Sequence, residues 1–445
     1  MTTSPNMDRH LVATVLFLAM LPMLLLLSCN KKDEKPNNQH KPSSYSSEVL
    51  TKWMALQQRL MRNATGIPNQ ALSRHYAYSG VAALESLRPG LHNQPKWTEK
   101  WNGLTGLPQP EKSKNYYHPA NVNAAMAAIN KAMFPNASVT DKAAIDSLET
   151  ALTSSFLTSE SQALITSSSQ YGKAVAAAVF AWAETDGYKD ASKPYNVPVG
   201  VGLWKPTAPS FAAPATPYWG ENRTIIKGST VNTQVPAPFT YSTDPASSFY
   251  QMVKQLYDAS QTLTADQKEM AIFWRDVPGA TTPGHWLGIL QQVIEQTHSS
   301  LEKAAIAYAL SGTAMNDALI TCFKSKYQFN LVRPITYIRE VMGHTSWNSF
   351  IGTPAHPEYA SAHASLSAAI AEVLQVLFGN INSFTDHTYD GLGFAPRSYS
   401  SMRAVGEEAG ISRLYAGIHY GKTIELSLIQ GKKVAENILS NNSSN

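Results

Sequence analysis

Three small clusters in the last third of the chain carry residues able to do chemistry together. The first is Lys326 with Arg333-Pro334, in KYQFNLVRP; the second is Ser361-Ala362-His363, in HPEYASAHAS; the third is Ser412-Arg413 with His419, in SRLYAGIH. Together they supply cations, hydroxyls, a helix start and two imidazoles. Ammonium and guanidinium groups bind oxyanions, the latter through planar forked bonds. Lys326 and Arg333 are seven apart, two helical turns, so both are expected on one helical face, with Pro334 ending that element. Pro354 and Pro357 break the chain before a small-residue helix from about Ser361 to Phe378. That puts Ser361 at a helix start, where free amides and the dipole favour an anion, and His363 near enough to exchange a proton with it. Six residues of regular helix turn through about 600°. Arg413 and His419 can therefore meet one anion only if the backbone deviates between them, and Gly417 is the expected place.

Alone, each cluster is what a solvated helix face or an N-cap shows. Jointly, their order and spacing resemble the signature of the type 2 phosphatidic acid phosphatase and vanadium-dependent haloperoxidase superfamily. Its pattern runs Lys, six residues, Arg-Pro; then Pro-Ser-Gly-His; then Ser-Arg, five residues, His, three residues, Asp. The resemblance covers about Ala265 to Lys433. The stretch FWRDVPGATTPGHW and an aromatic-rich middle region look like a secreted, lipoprotein branch of that superfamily found in Bacteroidetes. The resemblance implies an oxyanion held by Lys326, Arg333 and Arg413, with hydrogen bonds from Ser361 and the Ala362 amide. His363 becomes the acid/base. His419 becomes the vanadium ligand of a haloperoxidase, which oxidises halide with hydrogen peroxide, or the nucleophile of a phosphatase acting on a phosphate monoester without a cofactor. Two positions depart from the pattern. Ala362 replaces the glycine, which leaves the amide in place. Thr423 replaces the aspartate expected to orient His419, which leaves the histidine with at best a neutral partner and keeps a non-catalytic surface protein as a third reading.

Around these clusters lie second candidates. His285 lies in TTPGHW near Asp276, His356 precedes Ser361 by five residues, and Asp317, on the helix before Lys326, can pair with one of the cations. No HExxH or cysteine cluster offers a zinc site. The two cysteines are far apart in role: Cys322 reads as a small buried thiol and Cys29 ends a signal-like segment.

The elements that position the clusters are read as all-α. Apolar residues recur at helical spacing from Val49 to Leu87, Asn121 to Met133, Thr140 to Leu157, Ser167 to Thr185, Ala246 to Leu263, Ala265 to Asp276, His285 to His298 and from Ser300 past Cys322. No strand alternation stands out, so the class is a multi-helix bundle. Between Asp186 and about Ser247 the texture turns to Pro, Gly, Thr and aromatics. So many aromatics argue for an irregular arm packed on the helical body rather than a free linker.

The 445 residues read as one helical domain over residues 48–440, preceded by a signal segment, 1–29, and a flexible tether, 30–47. Arg9 and His10 precede an apolar run from Leu11 to Leu27, shorter than the ~20 residues of a span. Leu26-Leu27-Ser28-Cys29 resembles a lipobox, which implies lipidation of Cys29 and an exported lipoprotein of the outer membrane or cell surface, held to the membrane by that anchor alone. A net charge of +4, from 36 basic and 32 acidic residues without a long basic run, argues against a nucleic-acid partner. A homodimer is left open.

Overall fold

A computed structural model of the chain describes residues 1–2, 40–91, 99–379 and 381–440. The chain divides between Gln39 and His40, and the helical fold belongs to the residues from His40 on. The expected signal segment beyond its first two residues, Cys29 and most of the tether lie outside the described residues. The end of the tether is not loose: Pro42 is buried, Ser46 bridges Ser300, and the Leu301 amide donates to the Tyr45 carbonyl at 2.9 Å. The Tyr45 ring packs edge-on against Tyr117 and His118, so residues from Pro42 on belong to the helical body.

The described residues form α1 (Glu48–Asn63), α2 (Asn69–Ser86), α3 (His118–Met133), α4 (Val139–Phe156), α5 (Gln162–Ala183), α6 (Ser248–Gln261), α7 (Ala265–Phe273), α8 (Thr282–Gln296), α9 (Leu301–Phe329), α10 (Pro334–Glu340), α11 (Ala362–Phe378), α12 (Met402–Tyr415) and α13 (Gly421–Ser440). The single pattern expected from Val49 to Leu87 is two helices, parted at Pro68. The cap of α4 is Ser138, whose hydroxyl accepts from the Asp141 amide, so the helix starts one residue ahead of the pattern read from Thr140. A two-stranded antiparallel hairpin, β1 (Phe384–Asp386) with β2 (Arg397–Tyr399), was not anticipated; three residues are too few to show alternation.

Helix α9 is buried almost throughout, as a helix apolar or small on every face must be. It packs against α2 on one side and α11 on another. Helix α11 in turn packs against α12 and α13. Its crossing with α13 is close because Gly431 has no side chain: a Cβ there would stand 1.9 Å from the Ser365 carbonyl oxygen. Helices α9, α11 and α12, with the turn leading into α13, thus bring the three clusters together. Ala362, at the start of α11, packs against both the main core and the smaller one built around Phe249, Tyr337 and Tyr420.

The arm is ordered on this body, with Trp204, Trp219, Ile225 and Ile226 buried. Asp317 fastens it. Its carboxylate accepts from the amides of Ile225 (2.8 Å) and Ile226 (3.2 Å) and from the Ser229 hydroxyl (2.7 Å). This corrects the expectation that Asp317 pairs with a cation. Consecutive amides in irregular backbone need an acceptor when buried, and burial lifts the carboxyl to about 6 even so.

Candidate active site

The first cluster does not lie on one helical face. Helix α9 stops at Phe329, with Asn330 in the left-handed region at φ 47°. Arg333 lies beyond the break, extended as the residue before a proline must be. The two cations meet instead through the segment His356–Glu358. The Lys326 ammonium donates to the carbonyls of Pro357 (2.9 Å) and Glu358 (3.1 Å). The Arg333 Nε donates to the His356 carbonyl (2.8 Å), Nη2 to His356 Nδ1 (2.9 Å), and Nη1 to the Ile418 carbonyl (2.9 Å).

The third cluster behaves as its spacing requires. Helix α12 ends at Tyr415 and Gly417 takes φ +77°. The amides of Ile418 and His419 both turn back to the Arg413 carbonyl. The Arg413 Nε donates to Ser412 Oγ (3.0 Å) and Nη2 to the Ala271 carbonyl (3.1 Å). The guanidinium lines the same cavity as His419, His363 and His356.

The carboxylate missing four residues after His419 is supplied by Glu358, which the sequence motifs do not single out. Its Oε1 accepts from His419 Nδ1 (2.9 Å) and from the Tyr420 amide (3.1 Å). Thr423 is not a failed substitute: its hydroxyl donates to Glu358 Oε2 at 2.9 Å and helps hold the acid that holds the histidine. A carboxylate here accepts, so the proton of His419 sits on Nδ1. Nε2 keeps its lone pair, 3.5 Å from Arg333 Nη1. Glu358 stands three residues before Ser361, between Pro357 and the start of α11; an acid inside the motif segment was the available signal.

Ser361 precedes α11 but does not cap it. Its hydroxyl is buried without a protein partner, while its amide donates to Ser427 Oγ. The first amides of α11 have no acceptor within the helix. Asp276 is at the cavity, accepting from the Thr282 amide (2.6 Å) and hydroxyl (2.8 Å) and standing 3.6 Å from His363 Nε2. His285 is not there. It is buried in an aromatic cluster with Phe273, Trp274 and Tyr389, paired to Asp386 at 2.5 Å, so it faces no substrate and bears on the site only through Trp274.

Burial shapes every charge in the site. It lowers Lys326 to about 7 and both Arg333 and Arg413 to about 10. It lowers His363 to about 4, helped by Arg413, and takes His419 well below the usual imidazole range, helped by Arg333 and Lys326. It lifts Glu358 to about 7 against the pull of Arg333 and Lys326. Desolvation is the largest cause of every one of these shifts. Three buried cations, Lys326, Arg333 and Arg413, stand against the buried Glu358 carboxyl, so an anion in the cavity of about 470 Å³ would offset buried positive charge. Arg413, His363, His419 and Ala362 at the helix start line the cavity; Arg333 and Lys326 lie behind the segment His356–Glu358, and the Ser361 hydroxyl is buried without a protein partner. That set suits a tetrahedral oxyanion such as vanadate or phosphate.

A family model described as the VCPO second helical-bundle domain matches residues 306–444. A crystal structure described as that of the first bacterial vanadium-dependent iodoperoxidase is 30% identical, with a TM-score of 0.80, covering 89% of this chain and 96% of that one. The chain belongs to the vanadium-dependent haloperoxidase family. Holo- and apo-type bacterial vanadium-dependent chloroperoxidase structures, each 16% identical, share the fold of this chain at TM-scores of 0.63 and 0.61. They cover 85% and 83% of this chain, and 94% and 93% of their own. No curated protein matches the chain. The structural likeness extends well ahead of the three clusters, into the helices before residue 200 where the sequence resemblance is slight.

Proposed function

We propose that the protein is a vanadate-dependent haloperoxidase that oxidises halide with hydrogen peroxide, and that iodide is the halide to test first, given the 30% identity to an iodoperoxidase. The observation that carries this reading is the His419–Glu358 pair: a buried imidazole whose Nδ1 proton is held by a carboxylate and whose Nε2 lone pair remains beside Arg333. Such an imidazole is a ligand for vanadium, and bound vanadate supplies the activation of peroxide. The chain's own residues do the rest. Lys326, Arg333 and Arg413 balance the negative oxygens, and Ser361 Oγ with the Ala362 amide donates to them. His363, neutral at neutral pH because burial lowers it to about 4, is free to accept a proton from incoming peroxide and return it later.

The test is triiodide formation from iodide and peroxide, with and without added vanadate. Vanadate-dependent turnover that His419→Ala abolishes supports the reading. Hydrolysis of a phosphate monoester, inhibited by vanadate and without halide oxidation, would overturn it in favour of a phosphatase with His419 as nucleophile. Neither activity in a folded protein would point to a binding protein. We also propose that the protein is exported and anchored through Cys29, supported by the lipobox-like LLSC; labelled lipid incorporation that survives Cys29→Ser would refute it.

A further inference from the structure

We propose that Thr282 is a positioning residue: with the Trp274 carbonyl it holds His363 in the tautomer that carries its proton on Nε2 and leaves Nδ1 free at the cavity. This rests on the proposed role of His363 as the acid/base. The argument is one of donors and acceptors. His363 Nε2 lies 3.0 Å from the Trp274 carbonyl oxygen and 2.9 Å from Thr282 Oγ1. A carbonyl can only accept, so the hydrogen belongs to Nε2. The Thr282 hydroxyl has one hydrogen, and it is given to Asp276 Oδ1 at 2.8 Å. Its oxygen therefore also faces Nε2 as an acceptor. Both neighbours of Nε2 demand the same tautomer, and Nδ1 makes no hydrogen bond among the described residues.

Each part of this arrangement is itself held. Trp274 follows the last residue of α7, where helix carbonyls lack helical partners. Its indole donates to Glu408 Oε1 at 3.0 Å and stacks on His285 at 4.3 Å, while His285 is tied to Asp386. Thr282 opens α8, and its amide and hydroxyl end on the same oxygen of Asp276, which fixes the hydroxyl rotor. Arg413 and Lys326 are the cations that face the ring, and Asp276 is the anion. His285, one of the second candidates read from the sequence, reaches the site only through Trp274.

The experiment uses the full chain labelled with ¹⁵N-histidine and free of vanadate. Long-range ¹H–¹⁵N spectra near pH 7, assigned with His363→Asn, read the tautomer directly. The expected result is an Nε2-protonated His363 in the wild type and in Thr282→Ser, and a mixture in the near-isosteric Thr282→Val. In turnover, Thr282→Val should lower kcat about tenfold with halide KM and vanadate affinity unchanged, and Thr282→Ser should restore it. An Nδ1-protonated His363 in the wild type would overturn the proposal. So would a folded Thr282→Val with the wild-type spectrum and kcat. A wild type that shows the expected tautomer yet oxidises no halide supports the positioning and overturns the reaction assigned to the site.

Discussion

Glu358 Oε1 lies 2.9 Å from Nδ1 of His419, across 61 residues of chain. The pair sets the tautomer and direction of the imidazole, and Thr423 holds the far oxygen of the acid. Replacing Glu358 by Gln should weaken vanadate binding by about 10–100-fold, measured by restoring activity to the vanadate-free protein. Thr423→Val, which removes one donor and leaves the pair, should cost less. Equal losses in the two variants would mean that the hydroxyl, not the carboxylate, orients His419.

Lys326 gives the site a pH dependence whose sign follows from its burial. Burial brings the ammonium from its ordinary 10.5 down to about 7. Below that pH it is charged and ready for an anion; above it, binding must take up a proton. Affinity should then fall towards a factor of about ten per pH unit. Sulfate is a suitable probe because its own charge is constant across this range. Its effect on the melting temperature should be larger at about pH 6 than at about pH 8.5. A sulfate shift that is flat, or that grows with pH, would contradict this.

Gly431 tests the packing that presents Ser361. A methyl there would meet the Ser365 carbonyl oxygen, so α11 and α13 must part. Gly431→Ala should destabilise the protein by about 1–3 kcal/mol, seen as a lower denaturant midpoint, and should reduce oxyanion binding as α11 shifts. A midpoint unchanged from wild type would refute the close crossing.

Asp317 tests the arm. Its Ala variant leaves the amides of Ile225 and Ile226 without their acceptor, a loss of about 1–3 kcal/mol per buried group. Limited proteolysis should then cut between residues 220 and 235 well before the rest of the chain. Uniform resistance there would show that apolar packing by Trp219, Ile225 and Ile226 suffices.

The helical body was legible because buried helices repeat their apolar residues every three to four positions. The convergence of the clusters was legible because their joint order and spacing resemble a family signature; each alone reads as a solvated helix face or an N-cap. Gly417 was legible too, since Arg413 and His419 could not otherwise meet. What escaped the sequence was tertiary. Helical spacing suggested a shared face for Lys326 and Arg333, but Asn330 ends the helix between them, and the carbonyls of another segment bring them together. Fixed offsets suggested that His419 lacked a carboxylate, because an offset registers an acid on the same helix and not one arriving from elsewhere. His285 and Asp317 are plausible site residues by position, yet one ring turns into an aromatic cluster and one carboxylate turns to the arm. The hairpin was too short to leave a pattern.

Three consecutive residues, His356, Pro357 and Glu358, hold Arg333, Lys326 and His419 at once, by carbonyls and by side chains. The site therefore has a common mount, and its parts are not independent variables. Substitutions at Lys326 and Arg333 should give losses that do not sum. An insertion or deletion in this short segment would displace a cation pair and the His419 imidazole in one step. Attempts to redesign what the cavity accepts would do better to vary its walls around Leu319, Phe323 and Leu366 and leave this strap untouched.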